Sequence, residues 1–348
     1  QCGIDPYSAA SSEVYQDLFG QGTFTGKGLL QVQALHAVLS QRLPEGRVLS
    51  HDLLEGAIAR CGTVSDVTLI EDAPFHADVA AARVHRWTRG DWQLLPFLLQ
   101  WRRYPVGAVN RWKMFDNLRR SLVAPMSLAL LLLALAGRTV SPWVALALVL
   151  AAFTAGPLMG AVAGFLPSRD DLARRHFFVG AATELLRAAS GGLWHLGQLL
   201  QQALRAGDAI LRALYRLLVS HRHLLQWTTA ATAQAQAATT LPAVLRQHRR
   251  EPVIALLLLA ALLFAGTPAP WLAVVLCALW ATAPLATWWV SWRQWTGPTW
   301  RASRATPGAT SSAASAPTTA TCRPTTCRRC RTTCWRTAPR PPTSACTC

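Results

Sequence analysis

The sequence predicts an α/β soluble region, then an α-helical transmembrane region with amphipathic interfacial helices, then a disordered tail. Three observations predict it. Twelve of the 17 acidic residues fall in residues 1–116, where charge is mixed and apolar runs are short. Uncharged apolar stretches fill residues 122–136, 142–167 and 252–291. Residues 296–348 hold arginine, cysteine, threonine and proline but no acid, a composition that builds no packed core.

Composition narrows the function classes. An apolar fraction of 51% excludes a wholly disordered chain, and 348 residues exclude a small disulfide scaffold while allowing one to three domains. The charged fraction is 15%, against about 25% in soluble domains. The net charge is +17, and Lys27 and Lys113 are the only lysines. Such a balance suits nucleic acid or an anionic membrane. Eight arginines lie in residues 301–348, and no Asp or Glu follows Glu251. With the long apolar stretches, that distribution favours a membrane and speaks against nucleic acid. The chain opens on Gln1 without a signal peptide and reads as a fragment.

Within residues 1–116, Val64–Glu71 alternates and is β-branched, the pattern of a strand. Leu53–Arg60 reads as a helix following the apolar pair Val48–Leu49, and Gly20, Gly22, Gly26 and Gly28 mark a loop. Two hairpins of transmembrane helices are expected in segments 117–167 and 251–295, with spans near 121–137, 142–166, 252–268 and 270–291. Trp271, Trp280, Trp288, Trp289, Trp292 and Trp295 suit interfacial belts. Basic residues crowd the chain before the first span and in 168–250, whereas the two short turns carry only Arg138. Both basic segments and the soluble region are therefore expected in the cytoplasm.

Residues 172–226 place Leu193, Leu196, Leu199 and Leu200, then Ile210, Leu211, Leu214, Leu217 and Leu218, at helical spacing with arginines on the other faces. Two placements fit: helices lying in the membrane surface, or helices packed under the soluble region.

Three motifs bear on chemistry. Asp52 and Glu55 stand at a loop-to-helix junction, where a carboxylate can act as a general base or simply cap the helix. Arg83-Val84-His85-Arg86-Trp87, running on to Gly90-Asp91-Trp92-Gln93, mixes cations with indoles. The cations suit a diphosphate leaving group and the indoles a sugar ring, or the whole run suits a membrane surface. Gly26-Lys27-Gly28 makes a tight turn and is no Walker A motif.

Taken in order, Val14–Gly20, Phe24–Gly28, Leu49–Gly56, His85–Trp87, Gly90–Gln93, Arg111–Arg120 and Leu217–Trp227 resemble the bacterial cyclic β-1,2-glucan synthase family. The resemblance covers about residues 2–295. It implies a processive, inverting glycosyltransferase of the bacterial inner membrane with a GT-A-like domain, of which residues 1–116 are the C-terminal part. It implies UDP-glucose as donor, a glucan acceptor, and a divalent metal, Mg2+ or Mn2+, whose DxD-type motif would lie upstream of Gln1. By the same resemblance Asp52 stands as catalytic base, and Arg86 and Trp87 match the end of a QxxRW motif beside diphosphate and acceptor. Arg83 replaces the motif's glutamine, Gly26, Lys27 and Gly28 become acceptor-loop candidates, and Glu55 is structural. Without the donor-binding half the fragment is expected to be inactive alone. The alternatives are another processive β-glycan synthase, similar to cellulose synthases, or a non-catalytic membrane assembly partner.

Six of nine cysteines fall in residues 322–348. Their CxxC spacing suits zinc or an iron–sulfur cluster, but the surroundings do not. Read one base back, cysteine codons become Leu, Val or Met and threonine codons His, Asp, Asn or Tyr. The tail then resembles the linker and start of the family's glucoamylase-like domain, so a shifted reading frame is expected near Trp295–Arg304. Cys2, Cys61 and Cys277 are scattered, as suits free thiols in a reducing compartment.

Overall fold

The computed structural model describes residues 9–296 apart from residues 27, 41, 44–45, 50–51, 65–75, 101, 105 and 164–173. Its described elements are all helical. They are α1 (Ala9–Phe19), α2 (Val32–Leu39), α3 (Asp52–Ala59), α4 (Ala77–Gln93), α5 (Leu95–Leu99), α6 (Ala108–Leu135) and α7 (Pro142–Ala163). There follow α8 (Arg174–Gly197), α9 (Leu199–Tyr215), a π-helical turn (Arg216–Ser220), α10 (Ala230–Ala235), α11 (Leu241–Gln247), α12 (Arg250–Phe264) and α13 (Pro270–Thr296).

The α/β, GT-A-like expectation for residues 1–116 is therefore corrected: among the described residues this region contains no strand. Most of the expected strand, Val64–Glu71, lies outside the described residues, and its described residue, Val64, is irregular. The physical reason lies in the period of the apolar residues. Leu53, Leu54, Ala57 and Ile58 fall at three- and four-residue spacing, as do Leu94, Phe97 and Leu98, and each set makes one helix face. Their side chains meet Val106 and Met114 in a single core.

Among the described residues three helices are long and apolar enough to cross a membrane: α6, α7 and α13. The 28 residues of α6 span about 42 Å, more than the roughly 30 Å of a bilayer core. The fourth expected span differs. α12 has 15 residues, about 22 Å, and falls short of that thickness. α6 packs on α7 and α12 on α13. Leu131, Leu135, Val149, Leu196, Leu276 and Trp280 sit in the shared core. Trp280 corrects another expectation: it is 1% exposed and donates Nε1–H to the Leu196 carbonyl at 3.0 Å, so it belongs to the core rather than an interfacial belt. α8 runs against α7 so closely that a Cβ on Gly192 would fall 2.0 Å from Thr154 Cγ2.

The two hairpin turns share one construction. In the first, Gly137 (φ 68°) donates to Ala134 O and Arg138 to Leu133 O. In the second, Gly266 (φ 72°) donates to Leu263 O and Thr267 to Leu262 O. Both are Schellman caps, which satisfy the last carbonyls of a helix through a left-handed residue that glycine adopts at least cost. Both are followed by a helix that begins Pro-Trp. A Cβ on Gly137 would lie 3.8 Å from Pro268, so the two turns stand side by side at one end of the bundle.

At the other end α9 carries one buried face, with Leu199, Leu200, Ala203, Ala209, Ile210 and Ala213, and packs it on α4 and α6. Leu193, Leu211 and Leu218 of the same periodic set are exposed. Asp78 at the start of α4 joins this layer to the hairpin base. Its carboxylate accepts from Arg205 at 2.6 Å, from His248 Nε2 at 3.0 Å and from Gln247 at 3.3 Å.

Candidate active site

Asp52 is the first residue of α3, half-buried at the wall of a cleft of about 790 Å3. Glu55, Arg86, His36, Leu225 and Trp227 line the same cleft. Five segments build it: α2, the stretch before α3, the first turn of α3, the middle of α4, and the loop after the π-helical turn. The loop carrying Phe24 lies against α3. A Cβ on Gly56 would come within 2.6 Å of Phe24 Cβ, and one on Gly26 within 3.0 Å of the Asp52 carboxylate. Bare glycines at both positions let this loop approach α3 and its leading carboxylate.

Of the remaining sequence-derived candidates, Arg86 reaches the cleft and places its guanidinium 4.7 Å over the ring of Trp227. Arg83 and Trp87 do not line it. They stack on each other at 4.6 Å on an exposed face of α4. Gly28 has positive φ and stands beyond the closest point of the loop, and Lys27 lies outside the described residues. The indole in the cleft is Trp227, which sequence reasoning quoted within a longer run but gave no role. Glu55, read there as structural, lines the cleft beside Asp52.

The rest of the α4 motif holds the layer together. Gln93 is 3% exposed and bridges both cleft walls. Its Oε1 accepts from Leu49 N at 2.8 Å, and its Nε2 donates to Leu224 O at 3.0 Å. Arg89 donates to the carbonyl of Gln226, next to Trp227. His85 bonds Asp208 of α9 at 2.8 Å, and Trp92 donates to Ser121 of α6 at 2.9 Å. Asp91 accepts from Asn117 at 3.0 Å. Burial outweighs that bond and the nearby Arg120, and pushes the Asp91 carboxyl up to about 7. The left-handed backbone of His221 and His223 (φ 52° and 57°) turns the chain from the π-helical segment into the loop that delivers Leu225 and Trp227.

A carboxylate, a guanidinium and an indole on one open cleft can take a proton from a hydroxyl, neutralise a departing anion and stack on a sugar ring. Among the described residues no group of three His, Cys, Asp or Glu side chains could hold a metal ion. The divalent metal implied by resemblance therefore has no fitting donor set among them, and no step is routed through it. Cys61 and Cys277 are free thiols, and burial raises the pKa of Cys61.

No protein-family model matches the chain. Over 292 residues, 83% of its length, the chain is 38% identical to the cyclic beta-(1,2)-glucan synthase NdvB of Rhizobium meliloti (strain 1021). It spans 10% of that relative's length.

Proposed function

We infer, for a chain that belongs to the cyclic β-1,2-glucan synthase family, that its Asp52 cleft is the acceptor side of the glucan-forming site. The shared cleft of Asp52, Arg86 and Trp227 carries this reading. The donor is UDP-glucose and the reaction an inverting, processive transfer. Asp52 takes the proton of an acceptor hydroxyl as that oxygen bonds to the anomeric carbon. The bond from that carbon to the diphosphate breaks with its electron pair, and UDP leaves. Arg86 faces the leaving charge, and the bare backbone at Gly26 leaves room for the acceptor against Asp52.

The protein is a multi-pass protein of the bacterial inner membrane. Its cleft layer lies in the cytoplasm, because the basic residues gather at that end of the helices while the paired turns carry Arg138 alone. The helices then guide the growing glucan towards the far side.

The test is Asp52→Asn in the intact synthase, reading incorporation of labelled glucose from UDP-glucose into glucan. Synthesis is expected to fall about 10²–10⁴-fold, with membrane insertion unchanged. Undiminished synthesis would remove Asp52 as the base and leave an assembly role for this region.

A further inference from the structure

A second cleft, of about 730 Å3, opens at the opposite end of α3 from Asp52. Arg42, Arg60 and Arg103 line it, with Gln21, Gly107 and Asn110, and among the described residues no carboxylate does. None of the three arginines makes an ion pair with a carboxylate among the described residues; Arg103 lies 5.5 Å over the ring of Tyr104. Gly107 is the N-cap of α6, where no side chain caps the helix and no acid stands in its first turn. The free N–H groups of a 28-residue helix thus open towards the cavity, with the positive end of its dipole. Asn110, one turn in, is 4% exposed, lines the cavity, and makes no side-chain hydrogen bond among the described residues. An amide that lines a cleft without a protein partner is available to the oxygens of a ligand.

We propose that this cleft binds a small phosphate-bearing anion of the diphosphate class. Helix N–H groups, the Asn110 amide and three guanidinium groups are the donors that phosphate oxygens recruit. Arg60 also holds a left-handed backbone (φ 58°) at the end of α3, where glycine would rest without strain. That conformation aims a guanidinium at the cleft at the expense of a relaxed cap. The anion comes from solution. The apolar part of α6 begins at Leu122, about 21 Å along the helix from Ala108, beyond the reach of lipid headgroups. The site is separate from the Asp52 cleft and stands whether or not the synthase reading does.

The experiment is calorimetric titration of the full chain, in nanodiscs of zwitterionic lipid, with inorganic diphosphate. Saturable one-to-one binding is expected. It should weaken at least tenfold in Arg60→Gln/Arg103→Gln and at least threefold in Asn110→Ala, and stay unchanged in Arg187→Gln, whose partner Glu184 lies far along the chain. Arg60→Gly keeps the test independent of folding: it should melt no lower than wild type yet bind at least threefold more weakly. Equal binding by all variants would reduce the signal to the arginine-rich tail and overturn the proposal. Competition from phosphatidylglycerol in the discs would assign the cleft to lipid headgroups and overturn the soluble ligand.

Discussion

The hairpins and the layer beneath them are both built from helices, yet they are held together by different forces. In the hairpins the partners are apolar, the backbone is satisfied within each helix, and glycine caps close the turns. In the layer around α4 and α9 the long-range links are polar. Asp78 joins Arg205 and His248, Gln93 joins Leu49 to Leu224, His85 joins Asp208, and Arg89 joins Gln226. Apolar packing tolerates exchange of one aliphatic group for another, whereas a buried polar link fails when either partner is lost. The hairpins are thus a plastic frame, and the layer is a specified one, as placement of a cleft requires.

The largest expected effect breaks the layer at Asp78. Replacement by alanine leaves His248, 2% exposed, and Arg205 without their carboxylate. It should cost about 3–5 kcal/mol of stability. Asp78→Leu combined with His248→Leu should recover only part of that loss, because the buried imidazolium is gone but Arg205 and Glu251 are left without their partners. Thermal melts of the detergent-purified chain measure both. The same pair sets a pH window. Burial alone would raise the Asp78 carboxyl, but hydrogen bonds and charge from His248 and Arg205 overcome it and hold it at about 2. Burial alone would lower His248, but Asp78 and Glu251 lift it to about 9. Asp78 thus contributes stability above its unfolded pKa, lost as pH falls towards 2. His248 contributes below its unfolded pKa, lost as pH rises through 9. The pair's contribution to the melting temperature, read as the difference between wild type and Asp78→Asn, should peak between about pH 4 and 6.5 and decline on both sides. Asp78→Asn should flatten both limbs; an unchanged profile would refute the link.

Next in size is Gln93→Leu, which unties Leu49 N and Leu224 O together. It should lower stability by about 1–3 kcal/mol. Because Leu49 lines the Asp52 cleft and Leu224 adjoins the lining residue Leu225, acceptor KM in the intact synthase should, on the proposed function, rise more than kcat falls. Equal loss in both would mean that Gln93 is a core group with no influence on the cleft's shape.

The same contrast explains what was legible in the sequence. The hairpins were legible because length and absence of charge are local properties. The Pro142 and Pro270 starts were visible, and so were the turns before them. The length of α12 was not: helix geometry begins it at Arg250, and the cap at Gly266 ends it after Phe264. The cleft was legible only in part. Asp52 and Arg86 were found from residue type and resemblance, and the structure brings both to one cavity. Trp87, their neighbour in the motif, faces away beside Arg83, because successive positions on a helix point about 100° apart. Trp227 enters from 141 residues after Arg86 through a left-handed turn at two histidines, and no periodicity announces that. The sheet was expected from one alternating segment and from the family resemblance, although the apolar sets of α3 and of Leu94, Phe97 and Leu98 had helical spacing.

The smallest expected effect sharpens the comparison within the frame itself. Gly266 and Gly137 do the same work in the two turns, with the same pair of cap bonds. Nothing lies within 4 Å of a Cβ placed on Gly266, so Gly266→Ala meets backbone strain alone and should cost about 1 kcal/mol. Gly137→Ala carries the same strain and adds only an ordinary contact with Pro268. The two melts should therefore fall by similar amounts, and the double variant by their sum within about 0.5 kcal/mol. A double variant that loses much more would show that the turns are coupled through the contact at Pro268. The paired hairpins would then be a specified interface, like the layer beneath them, rather than a plastic frame.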